Sequence, residues 1–179
     1  MNNILVFYYS RYYNIRASQA EHLFCSQNYA DGHRCFYINI FNRVIPSYFG
    51  KVKFDLVIFS WSFAGSRFVE SEFKTALGRI QSVKGFDCPK VLLPQDEFSN
   101  TRALCDMINE FSIAVVYSVS PESEWIKMYR TVDFGKVRFE RVLTGYLDEK
   151  VIQKISGRLS QANNRLVDIG YRYGSAVYV

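Results

Sequence analysis

The chain has only two histidines and four cysteines. Cys25, Cys35, Cys88 and Cys105 form no C-x-x-C pair, and neither His22 nor His33 stands at metal-ligand spacing from them, so neither a zinc site nor a disulfide framework is expected. The four thiols read as reduced side chains that pack as small hydrophobes. No stretch approaches the roughly 20 apolar residues that a membrane span needs. Met1-Asn2-Asn3 runs straight into an apolar segment without a basic leader or cleavage site, which sets the expectation of a cytoplasmic protein. The glycine-rich dinucleotide fingerprint, the G-x-x-x-x-G-K-[ST] phosphate loop and the G-x-S-x-G nucleophile elbow are missing as well. Their absence counts against NAD or FAD binding, a P-loop nucleotidase and a serine hydrolase of the α/β kind. Internal repeats and low-complexity segments are also lacking.

What the sequence does contain is enough chain for one core. A domain of 179 residues buries about 70% of the surface its unfolded form exposes. The net charge of +5, with 13 tyrosines and 15 phenylalanines, would suit an anionic partner. The charge is scattered, however, and gives no strong nucleic-acid signal.

Short apolar runs recur between helical patterns. Ile4 to Tyr9 is rich in β-branched and aromatic residues and reads as a first, central strand covered on both faces. Cys35 to Ile40 and Phe54 to Ser60 repeat the signal, Val91 to Leu93 is a shorter fourth strand, Ile113 to Tyr117 a fifth and Val137 to Val142 a sixth. A first helix follows the polar turn after strand one, from a capping box at Ser18-Gln19-Ala20-Glu21 or from nearer Ile15. Apolar spacing predicts helices from about Val69 to Val83 and through Leu104, Met107, Ile108 and Phe111, the latter capped by Ser99 or Asn100. Ser120-Pro121-Glu122 predicts a further helix start, with Ser120 as cap, and Ile152, Ile155 and Leu159 mark a last helix behind Asp148. Alternating strands and helices imply parallel pairing through right-handed crossovers. The expected fold is a doubly wound, Rossmann-like α/β domain of five to six parallel strands with helices on both faces.

In such sheets ligands bind beyond the carboxyl ends of the strands, near the point where strand order reverses. The loop after strand one carries Arg11 and Arg16, which can fork onto a phosphate or carboxylate, and Tyr12, Tyr13 and Asn14, which can bond or stack on a sugar or base. Read blandly, it is a surface turn. Gln95, Asp96 and Glu97 follow strand four; a partly desolvated carboxylate there can serve as a general base, a helix cap or a clamp on sugar hydroxyls. Ser118, Ser120, Glu122 and Glu124 surround the start of the helix after strand five. Trp125 belongs either to the core or to a sugar-binding floor, with core favoured, and Trp61, Ser62 and Phe63 form another aromatic rim. His22 and His33 read as ordinary surface or edge residues.

Four runs, Tyr12 to Arg16, Leu93 to Phe98, Ser118 to Trp125 and Leu143 to Asp148, resemble in order the N-terminal half of bacterial glycosyltransferase-like proteins of the two-domain GT-B class. The resemblance implies an N-terminal, acceptor-side Rossmann-like domain over residues 1–165. It reads 166–179, including Asp168-Ile169-Gly170-Tyr171, as a linker and opening strand of a missing C-terminal donor domain. It further implies a glycan or small-molecule acceptor, and a nucleotide-sugar donor as co-substrate held mainly by the other domain, with no cofactor of its own. Cleft-facing substrate residues would be Tyr12, Asn14, Arg16, Gln95, Ser118 and Glu122, with Asp96 or Glu97 as base. No transfer is expected without the second domain, and inversion and retention both stay open. The class requires no metal-binding Asp-x-Asp motif, and none occurs. The alternative is a non-catalytic Rossmann-like module for nucleotides or nucleic acid.

Overall fold

The computed structural model describes residues 1–11, 15, 17–29, 32–143 and 152–157. The chain divides into two units, Met1–Tyr146 and Leu147–Val179. In the second, residues 152–157 are helical and exposed. The expected boundary at residues 165 and 166, with the strand proposed beyond it, lies outside the described residues.

The first unit is built on β1 (Asn3–Tyr8), α1 (Ala17–Tyr29), β2 (Arg34–Asn39), β3 (Leu56–Phe59), α2 (Trp61–Gly65), α3 (Glu70–Arg79), β4 (Lys90–Leu92), α4 (Thr101–Glu110), β5 (Val115–Ser118), α5 (Glu122–Met128) and β6 (Arg138–Arg141). Among the described residues the strands form a single six-stranded sheet in the order β2-β1-β3-β4-β5-β6, with every neighbouring pair parallel. This is the expected Rossmann-like α/β arrangement. β1 is an interior strand, and strand order reverses between it and β3, which defines the switch point.

The continuous apolar character of β1 follows from cover on both faces. Leu5 and Phe7 turn to a core cluster that includes Val57, Phe59, Leu92 and Val116 of the sheet, with Phe73 and Ala76 of α3 and Leu104, Met107 and Ile108 of α4. Ile4 and Val6 turn to the opposite face, where Leu23 and Phe24 of α1 pack on them with Leu56 and Ile58. The register Phe7↔Phe59 and Phe59↔Leu92 keeps each face in line across three strands. Phe7 and Phe59 stack with ring centroids 5.6 Å apart.

The observed elements depart from the expected ones in three places. The helix predicted over 69–83 is α3 followed by a 3-10 turn at Gln81–Gly85, and a separate short helix, α2, precedes it. Ile80 breaks the regular turn with φ −109° and ψ 12° yet stays fully buried, so the apolar spacing survives the change of helix type. Ser120 does not cap α5: Pro121 holds the cap position without a side-chain bond, and the Ser120 hydroxyl points to Glu97 at 3.4 Å. His22, expected as an ordinary surface or edge residue, is half-buried and stacked on Trp61, with centroids 6.0 Å apart.

Candidate functional site

At the carboxyl edge, the loop from β4 to α4 is held from two sides. Asp96 and Asn100 both adopt left-handed backbone, at φ 51° and 50°. Neither is a glycine, so each conformation must be held by its surroundings. Arg67 does much of the holding. Its side chain is 1% exposed, and its guanidinium donates to the carbonyls of Ala64 (2.9 Å), Gln95 (2.8 Å), Asp96 (2.7 Å) and Ser99 (3.1 Å). The planar fork reaches three carbonyls of one loop at once, which a lysine could not reproduce. Asn100 answers by donating its side-chain amide to the Arg67 carbonyl at 3.1 Å.

Glu97 holds the same loop from the other side. It is 1% exposed and accepts from the Ser118 hydroxyl (2.7 Å), the Val119 amide (2.8 Å), the Ser120 amide (3.3 Å) and the Tyr129 hydroxyl. Trp125 joins the network by donating its indole N–H to the Ser118 hydroxyl at 3.0 Å and the Ser120 carbonyl at 3.1 Å. Burial, then the charge and hydrogen bond of Glu97, push the Tyr129 phenol well above its ordinary range. Burial pulls the Arg67 guanidinium down, while Tyr129, Asp96 and Glu97 oppose that shift. A buried anion and a buried cation thus grip the loop between β4 and α4, tying it to β5 and to the segment after α2.

The candidates separate accordingly. Glu97 and the fully buried Ser118 face inward and have their polar atoms engaged, so neither is open to a ligand. Asp96 is exposed, and its carboxylate makes no hydrogen bond or ion pair with a described residue. Gln95 is half-buried, with its carbonyl on Arg67. Glu122 is exposed in the first turn of α5, where its charge suits the helix start. Trp125 packs with the core and against Phe139, as the favoured reading had it. Tyr12, Asn14 and Arg16 lie outside the described residues.

A second cluster borders the switch point. Glu72 of α3 accepts from the Tyr9 hydroxyl at 2.7 Å and pairs with Arg11. Burial, followed by Glu72, raises the Tyr9 phenol to about 12. The Tyr9 amide donates to the Ser62 hydroxyl at 3.3 Å, which joins the loop after β1 to α2. Arg11, expected to be free for an anion, is therefore engaged by a carboxylate. Trp61 stands at the same mouth on α2, and its indole N–H is buried without a hydrogen-bond partner among the described residues.

Sequence reasoning missed Arg67, Glu72 and Tyr129. Arg67 falls in a stretch assigned to no element, and its partners in the loop after β4 lie about thirty residues away, so no local spacing announces it. Among the described residues no group of three or more His, Cys, Asp and Glu side chains could hold a metal ion. No protein-family model, curated protein or solved structure matches the chain.

Proposed function

We propose that this domain is the acceptor-side half of a GT-B-like glycosyltransferase, binding a glycan or small hydroxylated acceptor whose sugar donor, a nucleotide sugar, is held by a second domain. The observation that carries the reading is the exposed carboxylate of Asp96, which no described residue hydrogen-bonds, set in left-handed backbone at the carboxyl edge of a parallel sheet. A carboxylate so placed can take the proton of an attacking hydroxyl, an effect worth about 10²- to 10⁴-fold in rate, or orient that hydroxyl. Glu97 has no free face for this work and serves to position the loop. The four sequence runs that resemble the GT-B class support the same assignment, since two of them form the loops after β4 and β5.

Calorimetric titration of the chain tests the division of labour. Free glycans should bind and nucleotide sugars should bind at least tenfold more weakly; tight nucleotide-sugar binding by this chain alone would overturn the reading. In a two-domain protein, Asp96→Asn should lower turnover by about 10²-fold or more.

A specific observation favours one other reading, a nucleotide-binding module. Strand order reverses between β1 and β3, where such sheets hold ligands, and the half-buried Trp61 stands there with an indole N–H that no described residue accepts. Quenching of tryptophan fluorescence by nucleoside monophosphates, lost in Trp61→Phe, would select it. A steep fall of affinity with salt would point instead to nucleic acid.

A further inference from the structure

The loop that carries Asp96 also carries Phe98, 78% exposed, while Glu97 between them is 1% exposed. This out-in-out alternation sends Asp96 and Phe98 outward from one short segment. A single exposed phenylalanine is ordinary on a protein surface. This one differs because its backbone is immobilised beneath it: Arg67 grips the carbonyls of Gln95, Asp96 and Ser99, and Glu97 is bonded to the loop after β5. Phe68, 48% exposed, borders the same loop, with the Arg67 guanidinium carbon 4.4 Å from its ring centroid. Two buried charges and two left-handed residues thus fix a segment whose outward side chains touch little.

We propose that Phe98 and Asp96 form a rigid platform for a pyranose ring, with the Phe98 face against its C–H surface and the Asp96 carboxylate accepting from its hydroxyls. The pairing selects the ligand class. A purely apolar partner would desolvate the Asp96 carboxylate without replacing its hydrogen bonds. A phosphate would meet a like charge. A sugar offers an apolar face and a rim of donors on one rigid body, and little ordering entropy remains to be lost on the protein side. Arg67 is the positioning residue, since it acts only through the loop it holds. The proposal rests on the acceptor-side reading and adds to it the contact that recognises the acceptor.

The experiment places 4-fluorophenylalanine at position 98 of the full chain and follows its fluorine resonance during titration. The probes are methyl glycosides of glucose, galactose, mannose and N-acetylglucosamine, with a tetralysine peptide as the competing class. At least one glycoside should shift the resonance saturably. By calorimetry, Phe98→Ala and Phe98→Leu should weaken that glycoside about tenfold, Phe98→Trp should stay within about threefold of the parent, and Asp96→Asn should weaken it by a similar factor. Phe98 is exposed, so these variants keep the fold, which circular dichroism checks. Arg67→Lys should also weaken binding, and failure of that variant to fold would not affect the Phe98 series. A glycoside that binds the chain but is indifferent to Phe98→Ala overturns this inference and leaves the acceptor-side reading in place. No glycoside binding by saturation transfer likewise overturns this inference, whereas tight binding of a nucleotide sugar to the chain alone is what overturns the acceptor-side reading. A resonance shifted by tetralysine alone, and reversed by salt, assigns the loop to a basic peptide and also overturns it.

Discussion

Glu97 accepts five hydrogen bonds on two oxygens, from Ser118, Val119, both the amide and hydroxyl of Ser120, and Tyr129. A buried carboxylate is tolerated when it is satisfied in this way, and removing one partner leaves the other exposed to its full desolvation penalty. Tyr129→Phe should therefore cost about 1.5–3 kcal/mol of unfolding free energy in urea, a size typical of hydrogen bonds to charged groups. Alkaline pH tests the same contact. The Tyr129 phenol is raised in the folded state from its ordinary value of 10.0, so above about pH 10 the unfolded chain loses a proton that the folded chain keeps. Stability is unaffected below that pH and falls above it, by about 1.4 kcal/mol per pH unit for such a group. The slope above pH 10 should be smaller by that amount in Tyr129→Phe than in the parent chain.

Left-handed residues occur in two different settings at the scale of elements. Ser112 ends α4 at φ 52°, with the Ile113 amide donating to the Ile108 carbonyl at 3.0 Å, the six-residue closure that usually carries glycine. Its side chain is exposed and serves the turn only, so Ser112→Gly should raise the thermal midpoint, by about 1 kcal/mol of stability. Asp96→Gly should relax the same kind of strain yet weaken glycan binding about tenfold, and calorimetry on the two glycine variants separates strain from function. Arg67→Met removes four hydrogen bonds and a buried fork, and should cost about 3–5 kcal/mol. Native-state hydrogen exchange should show the earliest loss at residues 95–100. The strands were readable in advance because both faces of β1 and β3 are covered, which leaves an unbroken apolar run. The five-residue α2 was not, since it spans little more than one turn and its start is set by the Ser60 hydroxyl accepting from the Phe63 amide.

Across the whole molecule, the order β2-β1-β3-β4-β5-β6 brings two polar centres to one edge of the sheet. One is the Asp96 loop and the other the switch-point mouth of Tyr9, Arg11, Glu72 and Trp61. The sequence pointed to the carboxyl edge of the sheet and to the acidic pair after strand four. Which acid turns outward depends on a left-handed φ at Asp96 and on contacts from residues 67, 118 and 129, all remote in the chain, and so could not be read locally. The most direct measurement is backbone amide shift mapping during titration with the best-binding methyl glycoside. The acceptor-side account requires the largest shifts at residues 95–99, with smaller ones at 119–122. Shifts centred on residues 9–11 and 60–62, with the Asp96 loop unmoved, would contradict it.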